Sequence, residues 1–269
     1  MAVMLAVVKL GGDVLAPPAL DAVAGEIAAA RFAGHRVLVV HGGGPQATEL
    51  SRRLGLEPRV VGGRRVTDEP TLDVMKMIVA GKLNVDLCAA LRGAGVPALG
   101  VSGSSGVIRA HRRPPRVVSG GGDVPVDFGL VGDVDGFDVT LLDALHAAGV
   151  VPVLACLGAG PGGAVLNINA DVVASQLAAA VKADALVACT AVGGVRRDKD
   201  DPASRISRLT VAQARAAIAD GTVQGGMIPK LEEAFTPLES GVAAVHIVGS
   251  AELARSLDAP GSVGTVLVA

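Results

Sequence analysis

The chain has 269 residues, with 24 Lys and Arg against 26 Asp and Glu, and half of it is hydrophobic with four Phe as its whole aromatic content. Near-neutral charge argues against a general nucleic-acid surface, and an Ala/Val/Leu core without Trp or Tyr argues against aromatic base-stacking or sugar-binding platforms. The length allows one large α/β domain or two lobes. In chain order, a strand is expected over residues 3–8, ending at Lys9-Leu10-Gly11-Gly12. A helix over 19–33 follows, with Leu20, Val23, Ile27 and Ala30 on one face and Gly34 closing it. Val37-Leu38-Val39-Val40 reads as a buried strand, and His41-Gly42-Gly43-Gly44-Pro45-Gln46 turns from it into a helix carrying Ala47, Leu50 and Leu54.

Gly62-Gly63-Arg64-Arg65-Val66-Thr67-Asp68 is a polar loop, with Asp68 or Thr67 able to cap the next helix and Pro70 tolerated in its first turn. That helix, over 71–92, is the longest expected. Strands follow over 98–101, 150–155, 165–168, 185–190, 244–248 and 263–268. Helices are expected over 139–148, 172–181 and 210–220. Between residues 107 and 138 the texture changes to short β-like pieces separated by Pro and Gly. Its run Arg109-Ala110-His111-Arg112-Arg113-Pro114-Pro115-Arg116 reads as a solvated loop or hairpin tip. Gln224-Gly225-Gly226-Met227-Ile228-Pro229-Lys230 opens a further helix that Pro237 should kink or shorten. Strands alternating with helices predict a largely parallel sheet with helices on both faces.

Cys88, Cys156 and Cys189 lack metal spacing and sit among apolar neighbours, as buried free thiols in a reducing compartment would. No signal-like segment and no long apolar run is seen, so a cytoplasmic protein without a membrane partner is expected.

The chemistry gathers at the glycine turns. A strand that opens through glycines into a helix presents bare N–H groups and the positive end of the helix dipole to an anion. Lys9 stands at the first such turn, Asp171 ends the run Leu166-Asn167-Ile168-Asn169-Ala170-Asp171, and Lys230 occupies a helix first turn, where the dipole disfavours a cation unless an anion binds there too. Two lysines, an organising aspartate and glycine cradles suit phosphoryl transfer, in which fixed cations and N–H donors stabilise the moving charge. The glycine–Lys–Ser/Thr phosphate loop, the protein-kinase catalytic loop and the dinucleotide fingerprint are all absent.

These motifs, with Arg64-Arg65-Val66-Thr67 and Gly226-Met227-Ile228-Pro229-Lys230, resemble the amino acid kinase superfamily over essentially the whole chain, and within it the acetylglutamate kinases. The resemblance implies a three-layer α/β/α sandwich around an open, mainly parallel eight-stranded sheet. Residues 1–179 would form a lobe for the acyl amino acid and dimerisation, and residues 180–269 a lobe for ATP. It implies phosphorylation of the side-chain carboxylate of N-acetylglutamate by ATP with Mg²⁺. Lys9, Asp171 and Lys230 would be catalytic, and Gly43, Gly44, Arg65 and Asn167 would bind the substrate. Lys9, Gly11, Gly12, Thr190, Gly194, Gly226 and Lys230 would bind ATP, and no protein metal site is expected.

Such kinases usually carry an aspartate where Ala191 stands, which bears on the nucleotide contacts. The arginine-inhibited hexameric members have a helix ahead of the first strand. This sequence opens in the strand, so a homodimer without that inhibition is expected, with the helix over 71–92 as its face. A kinase of carrier-linked or acetylated aminoadipate or glutamate, and a non-catalytic amino-acid-sensing module, are the alternatives. Gly44 argues against the first, and intact Lys9, Asp171 and Lys230 against the second.

Overall fold

Four consecutive buried apolar side chains leave a strand no solvent face, and Val37–Val40 accordingly lies inside a sheet. The computed structural model describes residues 3–118, 122–198, 200–225 and 227–269. In chain order the strands of its two larger sheets are β1 (Leu5–Leu10), β2 (Arg36–His41), β3 (Ala98–Ser102), β4 (Ile108–Arg112), β5 (Gly132–Phe137) and β6 (Val151–Ala155). They continue with β7 (Leu157–Ala159), β8 (Val165–Asn167), β9 (Ala185–Cys189), β10 (Arg208–Thr210), β11 (Ala244–Val248) and β12 (Thr265–Val268).

The main sheet has eight strands in the order β10-β12-β11-β9-β1-β2-β6-β3. β11 through β3 are mutually parallel, while β12 runs against β11 and carries β10 with it. The expected number is met with one exchange. Residues 165–168 leave the sheet to join the second one, and Arg208–Thr210, too short to stand out in the sequence, takes the edge. β1 also runs two residues further than expected, because Lys9 and Leu10 are still in register with β9 on one side and β2 on the other.

Helices cover both faces. α1 (Ala19–Phe32) packs on α4 (Asn84–Gly93) and α9 (Leu253–Asp258), and α6 (Ala170–Ala180) packs on α8 (Met227–Glu239). α9 was not anticipated. α8 runs past Pro237 to Glu239, so the proline does not shorten it. The long helix forms as α3 (Glu69–Met75), a π-helical stretch Lys76–Leu83 and α4. Asp68 caps α3, its carboxylate accepting the Thr71 N–H at 2.9 Å. The region after β3 folds into the second sheet, in the order β8-β7-β4-β5.

Candidate active site

Strand order reverses direction around β1, with β2 following on one side and β9 on the other. In parallel α/β sheets, crevices open at the carboxyl ends of strands beside such a reversal. A cavity of about 510 Å³ opens there, lined by Lys9, both glycine turns, Arg65, Asn167 and Asp171.

The glycines are required by close approach. A Cβ on Gly12 would stand 2.7 Å from both the Pro45 ring and Gln46 Oε1, and one on Gly43 would stand 2.4 Å from Leu83. α2 (Gly44–Arg53) therefore starts hard against both turns, with no side-chain cap on its first N–H groups. Gln46 ties the turns together by donating to the Gly12 carbonyl at 2.6 Å. Behind them, the wide π turn brings Asn84 under His41. The His41 Nδ1–H donates to the Gly42 carbonyl at 2.9 Å, and Nε2 accepts from Asn84 at 2.9 Å. Burial holds this imidazole below its usual proton affinity, partly offset by the Gly42 bond, so it stays neutral.

Lys9 Nζ reaches Asp171 Oδ1 at 2.5 Å. Asp171 sits in the first turn of α6, whose N-cap Asn169 accepts the Asp171 N–H at 2.7 Å. Burial disfavours the Lys9 charge, but the Asp171 charge and hydrogen bond, with Glu233 and Asp13 behind them, raise its pKa above the ordinary value. Lys230 lines an adjoining cavity of about 270 Å³ with Lys9, Asp171 and Thr190, so the three proposed catalytic groups converge.

Arg65 is delivered by a hairpin rather than the expected loop. Gly62 and Gly63 both have positive φ, 54° and 73°, as a two-residue hairpin turn demands, and Val60–Val61 pairs with Arg64–Arg65 across it. Arg65 Nη2 then donates to the Gly44 carbonyl at 3.0 Å and to Thr48 Oγ1 at 2.6 Å. Its Nη1 is buried with no partner. Asn167 at the end of β8 donates to Thr67 Oγ1 at 3.0 Å, while Asp68 caps α3.

Residues 4–249 match the sequence profile of the Amino acid kinase family. The chain belongs to the amino acid kinase family. It is 56% identical over 98% of its length, and 98% of the other chain, to a protein of Anaeromyxobacter dehalogenans named acetylglutamate kinase. It is 56% identical to a Sorangium cellulosum protein of the same name, over 97% of this chain and 94% of that one. Among solved structures it is similar to an N-acetylglutamate synthase of Neisseria gonorrhoeae complexed with coenzyme A and N-acetyl-glutamate. The TM-score is 0.80 and the identity 26%, over 99% of this chain but 59% of the longer synthase chain. A carbamate kinase from Giardia shares the fold, with TM-score 0.69 and 17% identity over 100% of this chain and 99% of that one.

In this amino acid kinase the residues expected on the nucleotide side divide. Thr190 lines the second cavity and donates to the Val192 carbonyl at 2.6 Å. Gly194 lines neither cavity; its positive φ of 87° and a Cβ position 2.9 Å from the Gly264 backbone account for the residue type by packing. Gly226 lies outside the described residues. At Ala191, where the resemblance leads one to expect a carboxylate, the backbone N–H instead donates to the Asp13 carboxylate at 2.8 Å, linking the turns after β1 and β9.

Three lining residues escaped sequence reasoning. Arg113 and Arg116, read as solvated, line the larger cavity; Arg113 is buried, its guanidinium doubly bonded to Asp133 at 2.6 and 2.9 Å. Glu233 lines both cavities. Burial and the Asp171 charge push its carboxyl up to about 7 against the opposing pull of Lys9 and Lys230. Its spacing of three from Lys230 was the available signal.

Proposed function

We infer that the protein transfers the γ-phosphoryl group of ATP to the side-chain carboxylate of N-acetyl-L-glutamate. The products are N-acetyl-L-glutamyl 5-phosphate and ADP, the second step of arginine biosynthesis. One observation carries the reading: a single cavity is lined by Arg65, whose guanidinium keeps one nitrogen without a partner, and by the Lys9–Asp171 pair. An acidic ligand gripped at Arg65 can present its other carboxylate to a phosphoryl group held by cations. The relatives named acetylglutamate kinase give the ligand its identity.

The attacking carboxylate is already ionised at neutral pH, since a free glutamate side chain titrates at about 4.3. No general base is needed. The obstacle is repulsion between two anions, which Lys9, Lys230 and the N–H groups of Gly11, Gly12, Gly43 and Gly44 reduce as charge moves to the leaving oxygen. Asp171 orients Lys9 and Lys230, and Asn167 with Arg65 grips the α-carboxylate and acetamido end. Magnesium would come with ATP and would offset part of the phosphate charge. Among the described residues, no group of three or more His, Cys, Asp and Glu is arranged to hold a metal ion.

In this reading residues 1–179 bind the acyl amino acid and residues 180–269 the nucleotide, with Thr190 and Gly226 on the nucleotide side. Exposed Met77 and Val85 on the long helix, with exposed Leu99 on edge strand β3, support a homodimer face. Sedimentation that finds only monomer at micromolar concentration would refute that face. A cytoplasmic location accords with the buried thiols of Cys156 and Cys189, and no helix among the described residues is long and apolar enough to cross a membrane. ADP release measured with a panel of acylated glutamate, aspartate and aminoadipate tests the function. Turnover with another member and none with N-acetylglutamate would overturn it.

A further inference from the structure

His41, the residue ahead of the three glycines, has no part in the transfer as described, yet it is wholly buried at the root of the turn that lines the larger cavity. The sheet ladder ends one residue later, where the Gly42 N–H donates to the Leu10 carbonyl at 3.2 Å. The next peptide unit, Gly42–Gly43, makes no backbone hydrogen bond at its carbonyl or its N–H among the described residues. With a glycine on each side, no Cβ decides which way up it lies. The imidazole decides it: the Gly42 carbonyl lies 2.9 Å from His41 Nδ1. In a trans peptide the carbonyl and the N–H of the following residue point in opposite directions. Holding the Gly42 carbonyl on the imidazole therefore turns the Gly43 N–H away from it, as a free donor on a residue of the cavity wall.

The imidazole is itself held. Asn84 Nδ2 lies 3.0 Å from the Val153 carbonyl and 2.9 Å from His41 Nε2. A carbonyl only accepts, so the amide nitrogen faces both groups and Nε2 must be an unprotonated acceptor. The one proton of the ring then sits on Nδ1, where the Gly42 carbonyl needs it. Turning the amide over would set its oxygen against the Val153 oxygen. Gly100, opposite Val153 in the sheet, makes room for this amide, because a Cβ there would collide with Asn84 Oδ1.

We propose that His41 is a positioning residue for the transferred group: fixed by Asn84 as the Nδ1–H tautomer, it locks the Gly42–Gly43 peptide so that the Gly43 N–H is presented to the phosphoryl oxygens. The proposal rests on the phosphoryl-transfer reading of the site. His41 touches neither substrate and moves no proton; it acts through the peptide. Released from the imidazole, that peptide spends part of its time with the Gly42 carbonyl towards the phosphates, which sets repulsion where a donor is required.

The test pairs two substitutions whose order separates this role from packing. His41→Phe keeps a buried ring and removes the donor; His41→Asn is smaller but restores an N–H at the δ position. Steady-state rates with N-acetylglutamate and ATP are taken well below each melting temperature. In His41→Phe kcat should fall about 10- to 100-fold, with smaller changes in either KM. His41→Asn should stay within about threefold of the wild type. Packing alone predicts the reverse order, because Phe fills the site and Asn leaves a hole. In parallel, nitrogen NMR of protein labelled at histidine, at about pH 7, should show the His41 ring with its proton on Nδ1. Its signals are identified by their loss in His41→Asn. A proton on Nε2, a doubly protonated ring, or a His41→Phe variant at least as active as His41→Asn overturns the proposal. The spectrum needs no substrate, so the two readings fail separately. Turnover of another acylated amino acid in place of N-acetylglutamate defeats the substrate assignment, and the same order of variants with that acceptor upholds this inference.

Discussion

The Lys9 ammonium and the Asp171 carboxylate meet at 2.5 Å across 161 residues of sequence. One comes from the central strand and the other from the first turn of the helix that packs on it. The ion pair fixes where the Lys9 charge is presented, so Asp171→Asn should leave substrate binding largely intact and lower kcat by about 10²- to 10³-fold. Steady-state kinetics with both substrates varied would read this. A rise in KM alone, with kcat unchanged, would contradict the orienting role.

Lys230→Ala should also act on kcat, by about the same factor, with the melting temperature unchanged. The side chain is partly exposed at the start of α8 and is in no ion pair among those of the described residues. A variant as active as the wild type would remove Lys230 from the mechanism.

In the proposed reaction Arg65 supports ground-state binding as much as reaction. Arg65→Lys loses the planar fork that bonds Gly44 and Thr48 and that leaves its buried Nη1 without a partner. The KM for the acidic substrate should rise about 10- to 100-fold, as loss of a charge-assisted hydrogen bond predicts, with little effect on the KM for ATP. Equal rises in both would place the arginine elsewhere in the cycle.

Gly12→Ala places a methyl group 2.7 Å from the Pro45 ring and from Gln46 Oε1. The ring cannot swing aside as a flexible chain end would, so the start of α2 must shift. Thermal denaturation should show a loss of about 1–3 kcal/mol, and Mg–ATP binding should weaken because the two turns no longer share one geometry. Full retention of both would show that the turns are independent.

His246 makes the fold acid-sensitive away from the site. It is buried on β11, with Nδ1 3.3 Å from Ser256 Oγ and Nε2 unpartnered, and burial pushes its pKa down to about 4. An unfolded histidine takes up its proton near pH ~6.5. Between those values the unfolded chain binds the extra proton, so stability is fully present above the upper value and falls as pH drops towards the lower one. The integrated loss is on the order of 3 kcal/mol. His246→Leu should flatten the melting temperature against pH in that window; an unchanged slope would assign the acid sensitivity to other groups.

Much of the architecture was readable because strands and helices announce themselves through local periodicity, and glycines through turns that no side chain can occupy. Residues 165–168 read as one more strand of the sheet, since nothing local distinguishes a buried strand of the main sheet from one that pairs with Leu157–Ala159 in another. Arg113 looked solvated for the same reason. Its burial depends on Asp133, twenty residues away on the neighbouring strand. Nothing local marks Glu233, and only the packing of α8 on α6 puts it in the cavity wall with Asp171.

Local order along the chain determined the kinds of parts: glycine turns after strands, a lysine beside the first, an aspartate in one helix first turn and a lysine in another. Steric and dipolar rules act over a few residues, so the sequence alone suffices for them. The tertiary structure decided which parts meet. It set Lys9 against Asp171, placed Arg65 in the wall of the same cavity, turned Gly194 into a packing residue and brought Glu233 into the wall that Lys9 and Lys230 share. Those outcomes depend on strand order and helix packing, in which the energy lies between residues far apart in the chain, where no local pattern records it.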